Sequence, residues 1–468
     1  MICICIFLIF VLFISVNGIV NIPKVMPIWK NNNNNNRINV KTEDNDKYDL
    51  LDIGPGGDTD NNKKKKNKKV LILMSDTGGG HRASAQALDR AMHELFPHSN
   101  IDVDILDIWT DHATWPFNGF VETYRFLAKH PMLWRISYTY ARFPPTRIAT
   151  EIVSKFTCHD RFEKAMSNSN PDLVVSVHPL CQHIPIPIVK KMNENRDPNL
   201  PPIPFVTVVT DLGGAHETWF DKDADICFVP SKQVKKIALR SGIDRKKIIQ
   251  HGLPVRPAFW LPPKSKKSLR SMLNLKQKIN TVLLMGGGDG VGGLGNIALE
   301  TASLLGKSTK PSQMVVICGH NKHLSRKLSS DTTWPSKVNV AVKGFCNNID
   351  EYMGASDLIV TKAGPGTIAE AMIRGLPIVL SSFLPGQEKG NVPFVVDGGF
   401  GVYSGNRPKL IAKHVNEIFS SHEKMYKMSE LAKSSSTPHA TKDIAYDLAR
   451  IVLRKDKELP ELKSKKVN

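Results

Sequence analysis

Val70-Leu71-Ile72-Leu73-Met74-Ser75-Asp76-Thr77-Gly78-Gly79-Gly80-His81 is the stretch on which the fold turns. An apolar run enters three glycines, and Ala87, Leu88, Ala91, Met92, Leu95 and Phe96 then recur at helical spacing. This reads as strand, glycine loop, helix. Ile101 to Ile108 alternates apolar and acidic residues, and further β-rich runs lie at 172–177, 205–210 and 226–230. A second series starts at Thr281–Met285, again runs into glycines, and continues at 314–318, 338–342, 357–361 and 377–380. Strands alternating with helical stretches predict an α/β protein with two parallel-sheet domains. Pro254, Pro257, Pro262 and Pro263 mark a hinge between them. The expected divisions are 1–18, a signal-like apolar segment; 19–69, a targeting and low-complexity linker; 70–258 and 259–453, the two domains; and 454–468, a charged tail.

The chain has 468 residues, 41% hydrophobic and 23% charged, with mean hydropathy of -0.22. That mix excludes a fibrous, a wholly disordered and a polytopic membrane protein. Seven cysteines without a CxxC pair argue against a zinc ribbon or a disulfide scaffold, and the thiols are read as reduced. The formal charge is +19, of which +4 lies in residues 1–69 and +3 in 454–468, leaving a body at +12. A body this basic favours an anionic partner: nucleic acid, nucleotide phosphate or acidic lipid.

Ile2 to Val16 is nearly all apolar and short for a membrane span, with Val16 and Gly18 spaced for signal cleavage after Gly18, or, since the usual basic n-region is missing, it is a short uncleaved anchor. From Ile19 to Thr42 there is no acidic residue, which is the charge character of an organelle transit segment. Asn31–Asn36 is low-complexity, and the lysines at 63–66, 68 and 69 read as a solvated linker.

Four constellations could carry chemistry. Gly78-Gly79-Gly80-His81 lets a substrate approach a helix start, where His81 could act as a general base or merely cap the loop. It is neither a Walker A loop nor a G-x-G-x-x-G fingerprint. Thr210-Asp211-Leu212-Gly213-Gly214-Ala215-His216-Glu217-Thr218-Trp219 follows a strand and offers a carboxylate, an imidazole and an apolar platform, or is an ordinary loop. Gly286–Gly290 and Lys362-Ala363-Gly364-Pro365-Gly366-Thr367 each follow a strand and together suggest a pyrophosphate cradle. Glu370, one turn further, could accept from ribose hydroxyls, and Gly386-Gln387-Glu388-Lys389-Gly390-Asn391 suits a sugar. Finally, nine of the 34 aromatics fall between Trp115 and Phe143, interleaved with Arg125, Lys129, Arg135 and Arg142. That suits a bilayer interface, single-stranded nucleic acid or an aromatic core. Asp102-Val103-Asp104 is read as one polar strand face rather than a metal site.

Residues 70–85, together with Gly252-Leu253-Pro254-Val255-Arg256-Pro257, Ile359–Pro377 and Gly386–Pro393, closely resemble the monogalactosyldiacylglycerol synthases of plastids. More distantly they resemble bacterial diacylglycerol glucosyltransferases. The resemblance spans about residues 70–452 and implies a GT-B architecture, two Rossmann-like domains facing an interdomain cleft. It implies inverting transfer of galactose from UDP-galactose to diacylglycerol, with no cofactor and no bound metal. Arg256, Gly287, Gly288, Gly366 and Thr367 would hold the diphosphate, Phe345 would lie by the uracil, Glu370 would bind the ribose, Gln387 and Glu388 would meet the galactose, and Lys362 and Gly364 would belong to the same UDP-sugar site. His81 would be the base, with Asp211 or His216 as alternative or orienting partner. Gly79, Gly80, Trp115, Pro116 and Trp219 would meet the acceptor or an anionic phospholipid. Gly213-Gly214-Ala215-His216-Glu217 departs from the family's version of that loop. The implied partners are UDP-galactose, diacylglycerol and an anionic membrane surface, with a homodimer as a further expectation and nucleic acid not expected. The implied place is a plastid membrane, reached through a two-part leader. Glucosyl transfer and an inactive lipid-binding homologue are the alternatives.

Overall fold

The computed structural model describes residues 67–464 apart from 78–79, 287–292 and 455. The expected signal-like segment 1–18 and nearly all of the 19–69 linker therefore lie outside the described residues. Two six-stranded sheets form the frame, and every strand pair in both is parallel. The first contains β1 (Lys68–Met74), β2 (Ile101–Asp107), β3 (Leu173–Ser176), β4 (Phe205–Val208), β5 (Ile226–Val229) and β6 (Ile248–Gln250), in the order β2-β1-β3-β4-β5-β6. The second contains β7 (Asn280–Met285), β8 (Ser312–Ile317), β9 (Val338–Lys343), β10 (Leu358–Lys362), β11 (Ile378–Ser382) and β12 (Gly401–Tyr403), in the order β12-β11-β10-β7-β8-β9.

Burial explains the two kinds of apolar pattern. The β3, β4 and β5 residues are buried throughout, because helices cover both faces of a parallel sheet. β2 is an edge strand, and its alternation leaves Asp102 and Asp104 bonded to Asn67 and Ser169 at the sheet margin. In each sheet the order reverses beside the first strand, β1 or β7, and the crevice for a ligand opens at such a point, beyond the carboxyl ends of the strands.

The domain expectation needs one correction. The helix Ala440–Leu453, assigned by position to the second domain, packs on the first. Ile444, Ala445, Leu448, Ala449, Ile451 and Val452 share a core with Val70, Ile72 and Met74 of β1 and with Leu88 and Met92. Leu459 and Leu462 of the expected tail pack there too. Periodicity identifies an apolar helix face but not the core it meets. The chain thus crosses between domains twice, and the crossings are tied together: the Thr441 hydroxyl bridges the Val255 N–H and carbonyl at 2.9 and 3.1 Å, and His251 meets Asp447 at 2.8 Å.

Candidate active site

His81 occupies the first turn of the helix Gly80–Leu95, directly after β1, and is buried. Its Nδ1 lies 2.9 Å from the Val177 carbonyl oxygen and 2.9 Å from the Thr210 hydroxyl. A carbonyl only accepts, so Nδ1 carries the proton and the lone pair resides on Nε2. Desolvation lowers the His81 pKa to about 4, partly opposed by the bond to Val177 and the charge of Asp76. The ring is therefore neutral at neutral pH. His178 stands edge-on to it at 4.5 Å, with its own Nδ1 accepting from the Leu180 N–H at 3.2 Å and its Nε2 2.9 Å from the Thr77 hydroxyl. Burial also drives the His178 pKa well below the usual imidazole value. Gly80 leaves open space beside this loop, while Gly79 lies outside the described residues.

The loop after β4 supplies the next wall. Thr210 turns toward His81, and Asp211, the next residue along an extended segment, turns the other way to accept from the Trp219 indole N–H at 2.7 Å. Burial pushes the Asp211 pKa up to about 7; the Trp219 bond opposes this and the charge of Glu388 adds to it. His216 accepts from the Thr218 N–H at 3.3 Å and caps the short turn Glu217–Trp219. Neither residue hydrogen-bonds His81, so the expected orienting role falls instead to Val177 and Thr210. Trp219 is also corrected: it is wholly buried, 6.1 Å from the His81 ring, and so forms a wall behind the imidazole rather than a surface for lipid. Trp115 is exposed, with Pro116 half-buried beside it.

The same loop closes on the second domain. The Gly213 N–H donates to Asn391 Oδ1 at 2.7 Å, and the Asn391 amide donates to the Ala363 carbonyl at 2.8 Å. A Cβ on Gly213 would collide with the Gly390 carbonyl, and one on Gly390 with Gly214, so backbone meets backbone here.

Across the gap, Gly364 ends the turn after β10 and the helix Pro365–Ile373 begins. The N–H groups of Gly366 and Thr367 belong to its first turn and have no partner within the helix. A Cβ on Gly366 would meet nothing within 4 Å, so the approach is open. Glu370 and Arg256, expected on different parts of the nucleotide, form one bidentate pair at 2.7 and 2.6 Å. Burial raises the Glu370 pKa, with Arg256 opposing. Lys362 pairs with Glu388, whose other oxygen accepts from the Leu384 N–H at 2.9 Å. Phe345 projects from the end of β9, 56% exposed, and stacks on His320 with ring centroids 4.3 Å apart. Gly287 and Gly288 lie outside the described residues.

The aromatic segment divides between roles. Phe117 and Phe120 pack on Trp109 in the core, whereas Tyr124 and Trp134 reach the other domain: the Tyr124 hydroxyl donates to Gln387 Oε1 at 3.4 Å and the Trp134 indole to the Pro385 carbonyl at 2.6 Å. Met132, Ile136, Phe143, Ile152 and Phe156 point outward, 58–90% exposed. Among the described residues, no helix is long and apolar enough to cross a membrane. Sequence reading missed His178, His320 and the reach of Tyr124 and Trp134. The two histidines did carry a signal, since each lies just past the carboxyl end of a parallel strand.

Two Rossmann-like domains, with a buried imidazole on one wall and a glycine-rich helix start on the other, define a GT-B fold. MurG of Acinetobacter baumannii superposes with a TM-score of 0.51 at 15% identity, covering 81% of this chain and 98% of that one. Staphylococcus aureus MnaA, solved with UDP, gives 0.52 at 13%, covering 85% and 100%. At such identities the likeness is one of fold. The monogalactosyldiacylglycerol (MGDG) synthase profile matches residues 81–255, and that of the glycosyltransferase family 28 C-terminal domain matches 281–444. Monogalactosyldiacylglycerol synthase 1, chloroplastic, of Arabidopsis thaliana is 44% identical over 395 residues, 82% of this chain and 71% of that protein. The chloroplastic synthase of Spinacia oleracea is 44% identical over 392 residues, 81% and 72%. The chain belongs to the monogalactosyldiacylglycerol synthase family.

Proposed function

We propose that this protein transfers galactose from UDP-galactose to the free hydroxyl of 1,2-diacylglycerol, with inversion, at a plastid membrane surface. The observation that carries the reading is the contact of Gly213–Gly214 with Gly390–Asn391, which brings the loop bearing Thr210, a partner of His81, beside Gln387 and Glu388. Base and donor sugar thus face one gap. His81 takes the proton of the lipid hydroxyl on Nε2, while Val177 fixes the tautomer. Negative charge grows on UDP as the anomeric bond breaks, and the N–H groups of Gly366 and Thr367 receive it at the helix start, with Gly287 and Gly288 assigned to the same diphosphate. Losing one such donor costs about 10²–10³ in rate.

Arg256 serves both Glu370, which takes the ribose, and the diphosphate. Lys362 holds Glu388, which with Gln387 meets the galactose, beside the turn at Gly364. The Phe345–His320 stack offers a face for the uracil. Gly80, where a Cβ would meet nothing within 4 Å, leaves room for the acceptor, to which Gly79 is assigned as well. Ile136, Phe143 and neighbouring arginines, with Trp115 and Pro116, rest on anionic lipid, so that diacylglycerol reaches His81 without leaving the bilayer. The protein acts without a bound metal, and the leader directs it to the plastid.

Purified full-length protein, supplied with UDP-[¹⁴C]galactose and diacylglycerol in anionic vesicles containing EDTA, should form a monogalactosyl lipid. Transfer from UDP-glucose alone would replace galactose by glucose in this reading. UDP binding without any transfer would end it. His81→Ala should abolish turnover and leave UDP affinity unchanged.

A further inference from the structure

We propose that Trp134 and Tyr124, on the helices Pro131–Arg142 and Phe120–Lys129 of the first domain, are positioning residues that hold the sugar-binding loop of the second. This rests on the assignment of Gln387 and Glu388 to the donor hexose. Among the described residues, two hydrogen bonds reach residues 384–388 from the first domain: Trp134 Nε1–H to the Pro385 carbonyl at 2.6 Å and Tyr124 O–H to Gln387 Oε1 at 3.4 Å. The two rings brace each other edge-to-face, 5.2 Å apart at 90°. Between their two targets, Gly386 adopts φ of 85°, and a Cβ there would collide with the Tyr138 ring. Three aromatic side chains from one domain therefore enclose three consecutive residues of the other.

The chemistry of the contact is specific. A phenol donating to Oε1 fixes which end of the Gln387 amide is the oxygen, and Nε2 is left with its N–H donors to offer. A sugar hydroxyl near Nε2 would then be read as an acceptor. The indole bond fixes the backbone two residues earlier, so the Gln387 side chain is held at its amide oxygen and the loop that carries it is held at Pro385. Tyr124 lies between the two half-sites as well: after burial, the charges of Glu388 and Asp211 both push its phenol upward, which keeps it protonated and donating. Nothing in this arrangement touches Gly366, Thr367 or the Phe345–His320 stack, so its effect belongs to the hexose and not to the nucleotide.

The test compares UDP with UDP-galactose by calorimetry on the full chain, for wild type, Trp134→Phe and Tyr124→Phe. Each variant keeps a ring and loses one donor. UDP affinity should stay within about twofold, which also reports an intact second domain. UDP-galactose affinity should fall about fivefold in each variant, the scale of one lost hydrogen bond. The KM for diacylglycerol should not move. Equal loss for UDP and UDP-galactose would reveal a merely structural role and overturn the inference, as would unchanged affinity for both. If wild type itself binds UDP but neither UDP-galactose nor UDP-glucose, the functional reading fails first and this inference with it.

Discussion

An imidazole can accept a proton at neutral pH only if it is uncharged there, and burial ensures that for His81. With a pKa near 4 it gives no break in rate near pH 6.5, where an exposed histidine would. Burial pushes the Asp211 pKa up to about 7, and its carboxylate accepts from the Trp219 indole N–H. Ionised, it favours the imidazolium that forms when His81 takes the lipid proton. The kcat/KM profile is therefore expected to rise through about pH 7, and in Asp211→Asn that limb should vanish, leaving the rate level down to about 4; a limb unmoved in the variant would clear Asp211. Linkage gives a second readout. Between pH 4 and 6.5 the unfolded chain binds the His81 proton and the folded one does not, so this residue makes stability rise with pH. For Asp211 the folded chain keeps a proton that the unfolded one releases between 3.8 and 7, so its contribution falls with rising pH. The two partly cancel. Relative to wild type, Asp211→Asn should gain stability on the order of 3 kcal/mol between pH 4 and 7, as measured by urea unfolding at both values; no relative gain would mean the carboxyl is not raised.

At the scale of elements, two glycine-bearing loops meet without side chains between them, and that contact sets the gap. Gly213→Ala places a methyl group against the Gly390 carbonyl, and the domains must part to admit it. A shift of about 1 Å at the reacting centre costs ~100-fold in rate, so kcat should fall by that order while UDP affinity, which depends on the second domain, holds. Activity within twofold of wild type would mean the gap is set elsewhere. The loops themselves were legible in the sequence, because Gly213-Gly214 and Gly386–Gly390 follow the β-rich runs at 205–210 and 377–380. β6 and β12 were not, since three residues carry no period. His81, Glu370 and Gln387 stood out as polar residues within or one helical turn beyond the glycine-rich stretches. The Arg256–Glu370 pair could not, because it joins residues 114 positions apart. Trp219 misled for a related reason: a tryptophan in a polar loop looks like a surface contact until the partner of its N–H, here Asp211, is known.

For the molecule as a whole, the return of the last helix to the first sheet decides which parts fold together. A chain cut at the proline-rich crossing near 254–263 would leave the first sheet without Ile444, Leu448 and Ile451, which close its core over β1 and the helix Gly80–Leu95. The first domain is thus built from both ends of the described chain, and the second is inserted between them. Leu448 is wholly buried in that cluster, and truncating such a side chain to alanine costs about 2–5 kcal/mol. The cost should appear far away in sequence. In Leu448→Ala, hydrogen exchange at the β1 amides should quicken by the factor that this loss implies, while β7 and β10 in the second sheet keep their protection. Ile411→Ala, in the core of the second domain, should give the opposite pattern. If Leu448→Ala instead loosened β7 and β10 and spared β1, the helix would belong to the domain that its position in the chain suggests.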